Sequence, residues 1–195
     1  MDICVFGAAS NEINSEYIKE VERLGETIAK RGHQLVFGAG NNGVMGAAAR
    51  GVKKANGKII GVIPEFFREE SIEQIFADCD ELIYTETMAQ RKAKMEDLAE
   101  AFIIAPGGIG TFEEFFEVLT LKQLGRHTKP IVIYDILGYY EKLEDFLKVA
   151  FDERFIRKDC RLLYEKCKTP EEAISYIEND ERIQRDVHDL KNGWC

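Results

Sequence analysis

Short apolar runs alternate with amphipathic stretches along this chain. Ile3 to Phe6 is apolar at consecutive positions and runs into Gly7-Ala8-Ala9-Ser10, which reads as a buried parallel strand feeding a turn. From Ser15 to Arg31 the spacing changes. Ile18, Val21, Leu24 and Ile28 recur at threes and fours, which predicts a helix, and Gly32 stops it. The alternation then repeats. His33 to Phe37, Lys58 to Ile63, Glu81 to Thr85, Phe102 to Ala105 and Pro130 to Asp135 read as strands. Val44 to Ala55, Thr87 to Glu100, Thr111 to Leu124 and Tyr139 to Phe151 read as helices. Pro64 is expected to close the third strand. Glu65 to Asp78 is polar with scattered Phe66, Phe67, Ile72, Ile75 and Phe76, and reads as an irregular excursion containing one helical turn. A last helix is predicted from Thr169-Pro170 to Asn179, with Thr169 as N-cap and Pro170 at the first helical position.

Strands that alternate with helices predict an α/β fold, doubly wound, with a mostly parallel sheet and helices on both faces. Ligands in such folds bind at the carboxyl ends of the strands. Three strand-to-helix turns on that edge are rich in small residues: Gly7 to Ser10, Gly38 to Gly43, and Gly107 to Thr111. No repeat or linker interrupts the pattern. The reading is a single nucleotide-binding domain over 1–179 and a polar tail over 180–195, loosely held or helical on the surface.

Composition narrows the function classes. The chain has 195 residues, 45% apolar and 31% charged, ordinary values for a globular domain. A net charge of −9 argues against a general nucleic-acid or membrane-surface binder, and leaves room for a small anion in a local pocket. No apolar run approaches the roughly 20 residues of a membrane span. The five cysteines, Cys4, Cys79, Cys160, Cys167 and Cys195, lack CxxC spacing, and His33, His127 and His188 are far apart. No metal site or disulfide framework is therefore expected, and the thiols read as reduced in a cytoplasmic protein. Met1 to Phe6 has no basic region and is too short for a signal peptide.

The most pointed chemistry lies in Pro106-Gly107-Gly108-Ile109-Gly110-Thr111. Glycines permit positive φ and close approach of a ligand to the backbone. The helix that follows turns free N–H groups and the positive end of its dipole toward the turn, so a phosphate fits there without a basic side chain. Thr111 can add a hydroxyl donor. A second reading stays open: Thr111-Phe112-Glu113-Glu114 is also a capping box, with Thr111 as N-cap and Glu114 at the third helical position. The turn matches neither a P-loop nor the GxGxxG dinucleotide fingerprint.

On the helix from Thr87, Arg91 shares an apolar stripe with Met88, Met95 and Leu98. A guanidinium there either snorkels to solvent or meets an anion; a surface pair with Glu96 is the plainer option. Lys92 lies beside it. Glu114 and Glu117 are three residues apart and share a helix face. Carboxylates near a phosphate need cations between them, which gives Arg91 a reason to be close.

Pro106-Gly107-Gly108-Ile109-Gly110-Thr111-Phe112-Glu113-Glu114 resembles the PGGxGTxxE motif of the Lonely Guy (LOG) family. These are nucleoside 5′-monophosphate phosphoribohydrolases that activate cytokinins and are often mislabelled lysine decarboxylases. Met88-Ala89-Gln90-Arg91-Lys92 resembles the family's Met-His-x-Arg-Lys, and Phe37 to Gly46 resembles its GGGxxGLMG segment. Cys4 to Ser10 looks like its opening strand and turn, and the likeness runs from about residue 2 to about residue 178. The sequence departs at Ala89 for histidine, at Ala39 for glycine, and at Ala8-Ala9 for Gly-Ser.

The resemblance implies a Rossmann-like fold, a homodimer or assembly of dimers, and hydrolysis of the N-glycosidic bond of AMP-type nucleotides. It implies Arg91 and Glu114 as catalytic residues. Met88, Lys92, Gly107, Gly108, Gly110 and Thr111 are the expected substrate contacts, with Ser10, Gly43 and Glu117 added to them. The expected partner is a small nucleotide, and no cofactor or metal is called for. The alternative function is a non-catalytic nucleotide or molybdenum-cofactor carrier, in which Glu114 is only a cap.

Overall fold

The structure is a computed structural model that describes residues 1–69 and 74–182. Ile72 and the predicted tail beyond residue 182 lie outside the described residues. Seven strands form one sheet: β1 (Asp2–Phe6), β2 (Gln34–Phe37), β3 (Ile59–Pro64), β4 (Glu81–Thr85), β5 (Ala101–Ile104), β6 (Ile131–Tyr134) and β7 (Glu165–Cys167). Their order is β4-β3-β2-β1-β5-β6-β7, and every pairing is parallel. The helices are α1 (Ser15–Lys30), α2 (Gly43–Lys54), α3 (Glu65–Glu69), α4 (Met88–Leu98), α5 (Ile109–Gln123), α6 (Glu141–Asp152) and α7 (Pro170–Asn179).

The period-2 geometry of strands sorts the core into two layers. Ile3, Val5, Leu35, Phe37, Ile103 and Tyr134 meet Val21, Leu24 and Ile28 of α1, Val44 to Val52 of α2, and Ile174 of α7. Their neighbours in sequence, Cys4, Phe6, Val36, Phe102, Ile104 and Ile133, face the other way and meet Met95 of α4, Phe115 and Val118 of α5, and Leu147 of α6. This is the doubly wound α/β architecture the alternation predicts, with the sheet parallel throughout.

Element boundaries agree with the sequence reading to within two residues, with three differences. Pro64 ends β3 from inside the strand. The three-residue β7 is an additional strand; Glu165-Lys166-Cys167 is a short, polar edge and gives no apolar run to read. The third difference bears on function: α5 starts at Ile109, so its N-cap is Gly108 and no side chain caps it. Thr111 sits inside the first turn, and the Thr111-to-Glu114 capping box does not form. A true box does form at α7, where Thr169 accepts from the Glu172 N–H and Glu172 accepts in return.

From β1 the sheet grows outward through β2, β3 and β4, and on its other side through β5, β6 and β7. The connections leaving β1 and β5 therefore diverge to opposite faces, and a crevice opens at their carboxyl ends. The two turns are tied together at the base of that crevice, where the Ala8 N–H donates to Pro106 O at 3.1 Å and the Ala105 N–H donates to Phe6 O at 2.8 Å.

Candidate active site

A cleft of about 510 Å³ lies at this divergence. Its lining comes from the β1 turn (Gly7, Ala8, Ala9), from Met45 and Phe67, from the first turn of α4 (Met88, Ala89, Arg91, Lys92), and from the start of α5 (Gly108, Gly110, Thr111, Glu113, Glu114). Segments far apart in sequence thus converge on one space.

Helix geometry places Arg91. Thr87 caps α4, its hydroxyl oxygen accepting from the Gln90 N–H at 3.1 Å. Met95 and Ala99 anchor the helix in the core, and Arg91, one turn before Met95, inherits the inward direction. Its side chain is buried, and its Nε donates to Val62 O at 3.3 Å. The guanidinium brings Nη2 close against Gly38, where a Cβ would stand only 1.7 Å from it. Arg91 Nη1 is 3.9 Å from Glu114 Oε1, an ion pair longer than a direct hydrogen bond. The arginine therefore meets an anion inside the protein, and the surface pair with Glu96 does not form.

Glu114 is 12% exposed. Burial pushes its carboxyl up to about 7, against the downward pull of Arg91. A carboxyl poised there can hold or release a proton at neutral pH. Lys92 reaches from α4 to two acids of α5, pairing with Glu113 and, at 2.6 Å, with Glu117 Oε2. Burial works against the lysine's charge, but its close pairing with the Glu113 and Glu117 carboxylates prevails and raises its pKa. Glu117 thus holds Lys92 and stands outside the residues that line the cleft.

The glycines of the 107–111 turn are needed for space. Gly107, Gly108 and Gly110 all lie outside the positive-φ region, which revises the sequence argument from φ. A Cβ on Gly108 or Gly110 would meet nothing within 4 Å, so both backbones face open space. Gly107 is buried and has room only for hydrogen, since a Cβ would come 2.1 Å from Thr111 Oγ1. Among the described residues, the N–H groups of Gly108, Ile109, Gly110 and Thr111 have no acceptor outside their own helix.

The turn before α2 is different. The Gly43 N–H donates to Asn11 Oδ1 at 2.8 Å, and the Val44 and Met45 N–H groups donate to Ala8 O at 2.9 and 3.3 Å. Gly43 has φ +60, and a Cβ there would lie 2.3 Å from Ala8 O. Ser10 is exposed, and its Oγ accepts from the Glu12 N–H. Neither Gly43 nor Ser10 is among the residues that line the cleft. Asn11 is the residue sequence reading missed here; its partner is 32 positions away, and no local pattern marks it.

Of the three family departures, Ala8-Ala9 lie in the β1 turn of the cleft and the other two fall in different places. Ala39 has φ +61 and is fully buried, its methyl in the core. Ala89 lines the cleft.

Residues 45–177 match a family model described as "Possible lysine decarboxylase". The chain is 36% identical over 178 residues to the cytokinin riboside 5′-monophosphate phosphoribohydrolase LOG2 of Arabidopsis thaliana, covering 90% of this chain and 82% of that one. It belongs to the LOG family. A bacterial relative, the cytokinin riboside 5′-monophosphate phosphoribohydrolase of Rhodococcoides fascians, is 39% identical over 90% of this chain and 88% of its own. In fold, the LOG chain is also similar to the molybdenum cofactor carrier protein of Chlamydomonas reinhardtii, with a TM-score of 0.69 at 24% identity over 91% of this chain and 95% of that one. Among the described residues, no helix is long and apolar enough to cross a membrane.

Proposed function

We propose that this chain hydrolyses the N-glycosidic bond of AMP-type nucleoside 5′-monophosphates, including N6-substituted ones of the cytokinin kind, to a free base and ribose 5-phosphate. The observation that carries the reading is the largely buried Glu114–Arg91 pair sharing one cleft with the uncapped N-terminus of α5. Two relatives of the chain are named cytokinin riboside 5′-monophosphate phosphoribohydrolases, which supports the reading.

The 5′-phosphate sits on the first-turn N–H groups of α5, with the Thr111 hydroxyl as an added donor. That anchor places C1′ of the ribose beside Glu114. As the bond from C1′ to the base nitrogen breaks, positive charge grows on C1′ and the ring oxygen, and an ionised Glu114 stabilises it. Water adds to C1′ and gives up one proton, while the base takes one up. A carboxyl that titrates near 7 can accept the first and supply the second. Arg91 holds Glu114 and the nucleotide in register, and Met88 at the cleft mouth packs against the base.

The same reading carries a cytoplasmic location and the pairing of two copies, for which light scattering at twice the chain mass is the test. A carrier role, the function named for the structural neighbour from Chlamydomonas, uses the phosphate turn but leaves the buried Glu114–Arg91 pair without a task. One assay separates the two: purified protein is incubated with AMP and N6-isopentenyl-AMP, each beside its nucleoside, and free base is read by liquid chromatography. Release from the monophosphates alone is expected. Binding without release from any of them overturns the hydrolase in favour of the carrier.

A further inference from the structure

The loop between β6 and α6 has no place in the mechanism above and does not line the cleft, yet it reaches the phosphate turn from behind. It carries two consecutive tyrosines. The Tyr139 hydroxyl donates to Gly107 O at 2.6 Å, and the Tyr140 hydroxyl donates to Ala105 O at 2.8 Å. These carbonyls flank Pro106, so both sides of the turn are held by phenols.

The loop is built to present them. Asp135, buried at the end of β6, accepts the Tyr140 N–H at 2.8 Å and closes the turn on itself. Between them, Leu137 and Gly138 adopt φ of +54 and +73. A left-handed leucine costs on the order of 1 kcal/mol, and such strain persists where surrounding contacts impose it. Tyr17 of α1 packs edge-on against the Tyr139 ring, with centroids 5.9 Å apart. Burial raises the Tyr139 phenol, so it stays protonated and can only be the donor to a carbonyl.

The consequence follows from the peptide unit. In a planar trans peptide, the carbonyl of one residue and the N–H of the next point in opposite directions. Pinning Gly107 O toward Tyr139, away from the cleft, turns the Gly108 N–H toward it. Gly108 has no Cβ to restrict its backbone, and its neighbour on the cleft side is open space. Without the tyrosine hydroxyl, that peptide is free to rotate.

We propose that Tyr139 is a positioning residue that orients the Gly107–Gly108 peptide, so that its N–H is aimed in advance at the substrate phosphate. This rests on the reading of the 107–111 turn as the phosphate anchor. The hydroxyl acts on phosphate recognition and leaves the base, the ribose and Glu114 untouched.

The test is Tyr139→Phe, which removes one oxygen from a side chain that is 39% exposed. Binding of AMP, ribose 5-phosphate and adenosine is measured by calorimetry, with KM and kcat for AMP alongside. A loss of one oriented hydrogen bond predicts up to about a tenfold weaker affinity for AMP and ribose 5-phosphate, and a KM raised by the same factor. Adenosine affinity and kcat should stay within about threefold. Equal AMP affinity in variant and parent overturns the proposal, as does an equal loss for AMP and adenosine, which marks general damage. If the parent binds AMP without hydrolysing it and the variant binds it more weakly, the hydrolase reading falls and Tyr139 keeps its role. If the parent binds neither phosphate compound, both fall.

Discussion

Two glycine-rich turns lead into helices on the same edge of the sheet, and they serve opposite ends. Before α2, the first N–H groups are taken up by Asn11 and by Ala8 O, and Gly43 adopts φ +60 because backbone crowds it. Before α5, Gly108 and Gly110 have negative φ and face open space, and the first-turn N–H groups find no acceptor outside the helix among the described residues. Every α-helix begins with N–H groups that lack an intrahelical acceptor. One turn satisfies them with protein; the other leaves them open to the cleft. A glycine count does not separate the two cases. What the missing Cβ would have touched does.

The comparison can be broken first at its chemical end, where only the open turn leads to a buried acid. Glu114→Gln should lower kcat by about a thousandfold, on the scale of losing a preorganised charge at the reacting centre, with AMP affinity within a few-fold by calorimetry. Stability should move the other way. The folded carboxyl sits at about 7 against an ordinary 4.5. Its contribution to stability is therefore fully present below 4.5 and is lost as pH rises through 7, a cost of up to about 3 kcal/mol above that pH. Urea unfolding should find the Gln variant more stable than the parent at pH 8 and equal to it at pH 4. Glu96 also titrates at about 7, chiefly from burial, so part of the pH dependence should survive in the variant.

The closed turn is broken next by Gly43→Ala. A left-handed alanine pressed against Ala8 O should cost about 3 kcal/mol or more, read as a drop in urea midpoint. Converting the open turn into a closed one is the sharper test. Gly108→Asp places a capping carboxylate at the N-cap of α5, where it satisfies the free N–H groups itself. Stability should rise by only a few tenths of a kcal/mol, while AMP affinity falls at least about a hundredfold, because the helix end then holds its own anion. The mildest change opens the closed turn. Asn11→Ala frees the Gly43 N–H and should cost about 1 kcal/mol with AMP affinity unaltered. Tighter AMP binding in that variant would show that the α2 end also reads phosphate, and the contrast between the turns would collapse.

The order of elements and the sheet edge that carries the site were legible in the sequence, because buried parallel strands leave apolar runs and glycines punctuate them. Arg91, Glu114 and the 107–111 turn were legible by motif. The start of α5 was not: Thr111 and Glu114 have capping-box spacing, and only the fold shows the helix already under way at Ile109. The division between open and closed turns was equally hidden. It depends on Asn11 meeting Gly43, on Arg91 lying against Gly38 and on Tyr139 reaching Gly107, contacts between segments that sequence periodicity does not relate. Residues that line a cleft leave local patterns; residues that hold the lining in place leave few.

The position of β1 has a consequence for how the molecule is made. It is the innermost member of the half-sheet β1 to β4, and residues 1–85 supply that half complete. A ribosome delivers this half first, with one flank of β1 bare until β5 arrives. The 107–111 turn follows β5 at once, and the tyrosines bonded to Gly107 and Ala105 emerge with the β6 to α6 loop about thirty residues later. The nascent chain therefore carries Arg91 and the earlier lining of the cleft before Glu114 and the 107–111 turn arrive. The second half of the chain completes a cleft whose earlier lining, from Gly7 to Lys92, has already been synthesised.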